Sequence, residues 1–372
     1  PPYQRPPLSK AFLKGKAGED TLLLKPPAFF EKAAITLHAR TTATRIDRAG
    51  RRVVCSNGAE YAYDHLIIAT GARNRLLPIE GASLEGVHYI RDWSEARRLK
   101  EVMPAARSAV VIGAGFIGLE FASVAREQGK SVTVVDVAPR VMARAVSPIV
   151  SRHFEDRHNR AGITLRLGCT PRRITGADGR VTGVEVDGDE IIAADLVVVG
   201  IGVVPNAEIA AEAGLAIENG IRTDEVLATS DPAISAIGDC ASFPDVADGT
   251  RVRLESVQNA VDQAKCVAAR LARVAHPYRA TPWFWSDQGE MRLQMAGCAA
   301  RSDLDVLRGD PGSGSFSVFR YLDGKLRVIE SVNAPADHVA ARRLVADPAS
   351  ITPEEAVDPA VDLKARALGK PR

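Results

Sequence analysis

The residues with the most chemical content are Gly113-Ala114-Gly115-Phe116-Ile117-Gly118, a G-x-G-x-x-G run. It follows Ala109-Val110-Val111-Ile112, an apolar segment that suits a buried parallel strand. Apolar residues at Ile117, Phe121, Val124 and Ala125 keep helical spacing, and Gly129 is placed to stop that helix. Ser131 to Val135 reads as the next strand, and Asp136 ends it. A strand, a glycine loop, a helix and an acid about 20 residues further on make up the dinucleotide-binding fingerprint. The glycines permit a tight turn and a close backbone approach to a pyrophosphate. The helix N-terminus then meets that anion with N–H groups and a positive dipole end. Asp136 suits a ribose diol and repels a 2′-phosphate, so NADH is expected over NADPH. Arg140 and Arg144 lie near it in sequence and pull the other way.

The elements around this loop recur. Asn57-Gly58 and Asp187-Gly188 are both hairpin-turn signals. Each leads to an Asp, an apolar strand and a glycine, first in Asp64 to Gly71 and again in Asp195 to Gly202. One structural unit used twice is expected. The first copy lacks an opening strand and phosphate loop of its own, so the sequence reads as truncated before Pro1. Further on, Ile237-Gly238-Asp239 places an acid at a strand end, and Gln258 to Val274 reads as a helix. Pro282-Trp283-Phe284-Trp285 opens a last segment with strands expected at Arg292 to Met295, Ser315 to Tyr321 and Lys325 to Asn333, then a partly helical tail.

Composition bounds the rest. The chain has 372 residues, 46% hydrophobic and 25% charged, with a net charge of +2. That is ordinary globular composition, with no basic excess for nucleic acid. The longest apolar runs, such as Leu196 to Pro205, fall well short of the roughly 20 residues a membrane helix needs. Cys55, Cys169, Cys240, Cys266 and Cys298 are far apart and form no C-x-x-C, which argues against dithiol or cysteine-metal chemistry and for a reducing cytoplasm.

Jointly, the stretch from Pro2 to Lys10, the Ala69-Thr70-Gly71 turn, the Gly113 loop, Gly238-Asp239-Cys240, Glu255-Ser256-Val257 and Pro282 to Gln288 resemble the FAD- and NADH-dependent ferredoxin reductases of bacterial oxygenase systems. The resemblance implies an α/β chain with two Rossmann-like dinucleotide-binding domains, the FAD domain split by the NAD domain, and a small C-terminal α+β domain. It sets the FAD domain at 1–101 and 228–278, the NAD domain at 102–227 and the C-terminal domain at 279–372. Family members begin earlier, with a phosphate loop for FAD, so this chain is expected to hold FAD weakly. A non-catalytic remnant is the alternative, as is another acceptor such as rubredoxin, a nitrite-reducing system or a quinone.

The resemblance also assigns residues. Arg5, Lys10, Ala43, Arg91, Asp239 and Val257 are implied to contact FAD, with Lys10 near the flavin ring. Gly113, Gly115, Gly118, Glu120, Asp136, Arg144 and Gly202 are implied for NAD, with Glu120 expected in the first turn of its helix. Trp285 is implied to lie near the flavin as an electron exit, while Trp283 and Phe284 are expected in the core. No protein nucleophile, general base or metal is called for. The implied partner is an acidic [2Fe–2S] ferredoxin, steered by local cations from Lys265, Arg270, Arg279, Arg292, Arg301 and Arg308.

Overall fold

A computed structural model describes residues 1–245, 249–298, 301–347 and 350–369. The chain divides into two compact units. One comprises Pro1, Lys25–Arg73 and Val203–Phe284; the other comprises Pro2–Leu24, Asn74–Gly202 and Trp285–Arg372.

The second unit is built around a five-stranded sheet in the order Val87–Tyr89, Leu196–Val199, Ser108–Ile112, Ser131–Asp136, Ile163–Leu167. All neighbours run parallel. The central strands are valine-rich because both faces are covered: Val110, Val111, Val134, Val135, Val197 and Val198 are all buried. The helix Phe116–Glu127 follows the glycine loop. It ends where expected, with Gly129 at φ +80° and its N–H donated to the Arg126 carbonyl. The helix Pro148–Arg160 begins at Ser147, whose hydroxyl accepts the Val150 N–H. Asp195 fixes the register of the sheet, since its carboxylate accepts the N–H groups of Arg107 and Ser108 at the start of the central strand.

The C-terminal sheet, in the same unit from Trp285 onward, has five strands in the order Trp283–Gln288, Met291–Gly297, Lys325–Val332, Ser315–Leu322, Leu304–Asp310. The helix Pro335–Ala346 packs on it through Ala340, Ala341 and Leu344, against Phe319, Tyr321 and Ile329. Leu304–Asp310 was not anticipated from sequence. None of its residues is buried, all being half-buried or exposed, so no alternation marks it. Arg308, in this strand, donates to the carbonyls of Ala356, Asp358 and Val361 and so ties down the following tail.

In the first unit the repeated hairpin is present. Ala43–Asp47, Arg52–Cys55 and Glu60–Ala62 form a three-stranded antiparallel sheet. Its counterpart in the second unit is Pro171–Ala177, Arg180–Val186 and Ile191–Ala193. After the first sheet, Leu66–Ile68 pairs in parallel with Ile234–Ala236. The helix Val257–Leu271 lies within a residue or so of its expected start, capped by Ser256.

Burial of histidine makes the fold acid-sensitive. His338 on the C-terminal helix is 5% exposed. Burial first, then the charges of Arg342 and Arg292, push its pKa down from 6.5 to about 4. A folded pKa below the unfolded one means stability that is complete above pH 6.5 and lost as pH falls toward 4. Urea unfolding at pH 7 and at pH 4.5 should differ by about 2 kcal/mol from this residue, at roughly 1.4 kcal/mol per unit. A His338→Gln variant with the same difference between the two pH values as the parent would refute the assignment.

Candidate functional site

The glycine loop has the steric logic of a phosphate cradle, and each glycine is there for a different reason. Gly113 sits at φ +112°, and a Cβ on it would lie 2.4 Å from the Gly200 carbonyl oxygen. A Cβ on Gly118 would lie 2.1 Å from the Gly113 oxygen, so this glycine lets the helix pack against the loop. Around Gly115 nothing lies within 4 Å of the Cβ position. Gly115 is the N-cap of the helix and has no side-chain cap. The space beside Gly115 is therefore open at the N-terminal end of the helix. That is the arrangement a pyrophosphate requires.

Asp136 is half-buried at the end of its strand. One oxygen accepts the Ala114 N–H at 2.6 Å and the other the Ala138 N–H at 2.7 Å. The carboxylate is thus fixed in orientation beside the glycine loop and keeps lone pairs for a diol. Arg140 turns back on its own loop and donates to the Ala143 and Val146 carbonyls. It is spent on structure, which removes one of the two arginines that blurred the cofactor preference. Arg144 is exposed, and its Nη2 lies 3.9 Å from where a Gly202 Cβ would be, so these two expected residues do meet.

Glu120 is the fifth residue of its helix rather than part of the first turn, and it is 2% exposed. A buried carboxylate needs donors. It has three: Ser9 Oγ at 2.5 Å, Lys10 Nζ at 2.9 Å and Ser286 Oγ at 2.7 Å. Ser286 in turn accepts from Gln288 Nε2 at 3.1 Å, and Gln288 Oε1 accepts from His158 at 2.8 Å. His158, driven below its usual pKa by burial, is the donor there as neutral imidazole. So Glu120 brings together Lys10, the dinucleotide helix and the strand that carries Trp285. Ser9, Ser286 and Gln288 lie within the motifs of the resemblance but were assigned no role from sequence, and His158 was not singled out. The one local signal is the polar alternation Ser286, Gln288 in the strand Trp283–Gln288, whose buried positions these are. Trp283 and Phe284, expected in the core, are only half-buried.

Arg5 is exposed and Arg91 half-buried. They share a neighbourhood: Trp93 donates its N–H to Tyr3, and the Arg5 charge is among the influences on Asp92. Burial raises the Asp92 pKa, but hydrogen bonds from Glu95 and Ser94 outweigh it and leave a net downward shift. In the first unit, Gly238–Cys240 form a single 3-10 turn just beyond Ile234–Ala236. The Ile237 N–H donates to Ile68, so Asp239 and the Ala69-Thr70-Gly71 turn lie at the same, carboxyl, end of a parallel strand pair. Ligands of α/β sheets collect at such ends. Asp239 is half-buried rather than buried, so burial cost adds nothing to its case. Val257 opens its helix, exposed, and Ala43 is the exposed first residue of its strand. Of the cations expected near Trp285, several are engaged: Arg270 with Ser235, Arg292 with Asp287, Lys265 with Asp262, and Arg308 with the tail.

Among the described residues no group of acids, histidines and cysteines could hold a metal, and no helix is long and apolar enough to cross a membrane. An open glycine cradle, a fixed acid at the adjacent strand end and a doubled strand unit define a dinucleotide-binding α/β protein. The chain belongs to the pyridine nucleotide-disulphide oxidoreductase family, which it matches over residues 1–264, followed by a Reductase C-terminal match over 283–367. That family uses FAD and NAD(P)H. The chain is 52% identical to rhodocoxin reductase of Rhodococcus erythropolis over 363 residues, 98% of this chain and 85% of that protein. Among solved structures it is similar to the ferredoxin reductase for the CYP199A2 system from Rhodopseudomonas palustris, with 51% identity, a TM-score of 0.96 and coverage of 98% and 90%. It is also similar to the reductase in a covalent putidaredoxin reductase–putidaredoxin complex, with 36% identity, a TM-score of 0.95 and coverage of 99% and 89%.

The network makes a prediction. Glu120→Ala leaves Lys10 and two serine hydroxyls without their buried acceptor. It should lower unfolding stability by about 3–5 kcal/mol, the cost of breaking a buried pair from one side. A loss below 1 kcal/mol in urea titration would show that the site is wet and the network unimportant.

Proposed function

We propose that this protein is an NADH-dependent flavoprotein that passes electrons through FAD to a small acidic [2Fe–2S] ferredoxin serving an oxygenase or a P450. The observation that carries the reading is the open cradle at Gly115 beside a backbone-fixed Asp136, in a chain so similar to reductases of ferredoxin-type proteins. FAD, when bound, accepts a hydride from NADH and releases electrons singly, and that chemistry is the cofactor's own.

The chain's residues bind, orient and set charge. Gly113, Gly115 and Gly118 admit the NADH pyrophosphate, Asp136 takes the ribose diol, and Arg144 and Gly202 border its path. Arg5, Lys10, Ala43, Arg91, Asp239 and Val257 are assigned to FAD. Lys10 supplies an ammonium whose position Glu120 holds, favouring an electron-rich ring. Glu120 thereby serves NADH through Lys10 and the loop helix. Trp285 is assigned to the electron exit. The working domain division is 1–101 with 228–278 for FAD, 102–227 for NAD and 279–372 for the C-terminal domain. Cytoplasmic residence is supported by Cys55, Cys169, Cys240 and Cys266, which are free thiols.

Two measurements test this reading. The kcat/KM for NADH should exceed that for NADPH, and Asp136→Ala should cut the NADH value by about ten- to hundredfold, as loss of a charge-assisted contact of roughly 1.5–3 kcal/mol. The variant also frees the Ala114 N–H, so NADPH should suffer too, but less. Equal use of both cofactors by the parent protein would overturn the preference. Separately, reduction of an acidic ferredoxin should slow steeply between low and physiological ionic strength, while a small neutral acceptor shows little change. A flat profile for the ferredoxin would mean docking is not electrostatic.

A further inference from the structure

The C-terminal sheet reaches into the NAD-binding loop. Glu330, on the strand Lys325–Val332, is completely buried. Its two oxygens accept the Ser147 N–H at 2.9 and 3.0 Å, and Oε2 accepts the Ser147 hydroxyl at 2.6 Å. Arg320, from the adjacent strand Ser315–Leu322, donates to Oε1 at 3.1 Å and lies 3.3 Å from Asp305. Burial pushes the Glu330 pKa up, and these donors oppose that. Such a carboxylate is expensive unless every donor stays in place, so the geometry around it is tightly determined.

What it fixes is three residues from Arg144. Ser147 closes the loop that leaves Asp136, and the other end of that loop is held by the Asp136–Ala138 bond. Midway, Met142 sits at φ +51° with its N–H donated to the Ala114 carbonyl, inside the glycine motif. Arg140 braces the same loop from within. Arg144 is the exposed side chain that this frame presents beside Gly202.

We infer that Glu330, with Arg320, is a positioning residue for NADH: it clamps the 137–147 loop to the C-terminal sheet and so sets where Arg144 stands. The inference rests on the proposed NAD role of Arg144 and deepens it. It assigns the C-terminal segment a part in cofactor binding.

The test uses the full chain, with NAD⁺ binding by calorimetry and steady-state KM and kcat for NADH, in Glu330→Gln, Ser147→Gly, Arg144→Ala and the Glu330→Gln/Arg144→Ala double variant. Glycine is a tolerated helix N-cap, so Ser147→Gly removes the hydroxyl contact without removing the cap position. Glu330→Gln should raise both the NAD⁺ Kd and the NADH KM by about fivefold, within the coupling seen inside one network, with kcat changed less than about twofold. Ser147→Gly should move Kd in the same direction. In the Arg144→Ala background Glu330→Gln should add nothing. If Arg144→Ala weakens binding but Glu330→Gln and Ser147→Gly do not, or if the effects multiply, Glu330 is a structural ion only and the inference falls. If Arg144→Ala leaves Kd unchanged, the NAD reading of Arg144 falls first and the inference falls with it. A variant with a lower unfolding temperature but the parental Kd also counts against it.

Discussion

A carboxylate with no access to water must find its donors inside the protein, and Glu120 finds them in two distant parts of the chain. Ser9 and Lys10 come from the N-terminal segment, Ser286 from the first strand of the C-terminal sheet, and Glu120 itself from the dinucleotide helix. The desolvation cost of such a group is several kcal/mol, and only near-complete hydrogen bonding offsets it. The consequence is geometric more than energetic. A segment that drifted by an ångström would leave a buried charge unmet. Lys10 is therefore held to a narrow position, and the strand bearing Trp285 is held to the same point through its neighbour Ser286.

The glycine loop is constrained in the opposite way, by what must be absent. At Gly113 and Gly118 backbone oxygens stand where a side chain would go, whereas at Gly115 there is only space. Two of the three glycines are thus required by the fold, and the third by something the fold leaves room for. Asp136 links the two kinds of constraint, since the atoms that fix it are backbone N–H groups of the loop and of the residue two further on. A side chain anchored in this way meets a ligand without first having to be ordered, which lowers the entropic cost of binding.

Periodicity and turn chemistry made much of this legible in the sequence. The strand Ser108–Ile112, the helix to Glu127, the stop at Gly129 and the doubled hairpin follow from local signals, each within a window of a few residues. The buried polar groups do not. Glu120, Ser286, Gln288 and Glu330 look like surface residues in any local reading, because polarity is the usual marker of exposure. Their partners lie 111, 166, 130 and 183 positions away. The same blindness explains Trp283 and Phe284. In that strand the aromatic residues are half-exposed while Ser286 and Gln288 are inside, the reverse of the expected pattern. The cations expected near Trp285 could be counted from sequence, but only the structure shows that Arg308 is occupied by tail carbonyls and Arg270 by Ser235.

Glu120 and Glu330 are two solutions to one problem. Each is a buried acid that joins the segment after residue 283 to the dinucleotide-binding part of the same unit, one through Ser286 and the other through Ser147. Apolar contacts hold surfaces together but tolerate sliding, because dispersion and burial depend weakly on direction. A carboxylate with hydroxyl and N–H donors at 2.5–3.0 Å does not tolerate it. Placing one such acid on the loop helix and the other at the loop that follows Asp136 brackets the expected NAD residues from both sides. The C-terminal sheet then does more than cover surface: through Ser286 and Glu330 it is bonded to the helix and the loop that flank the residues proposed for NAD, Asp136, Arg144 and the glycine cradle.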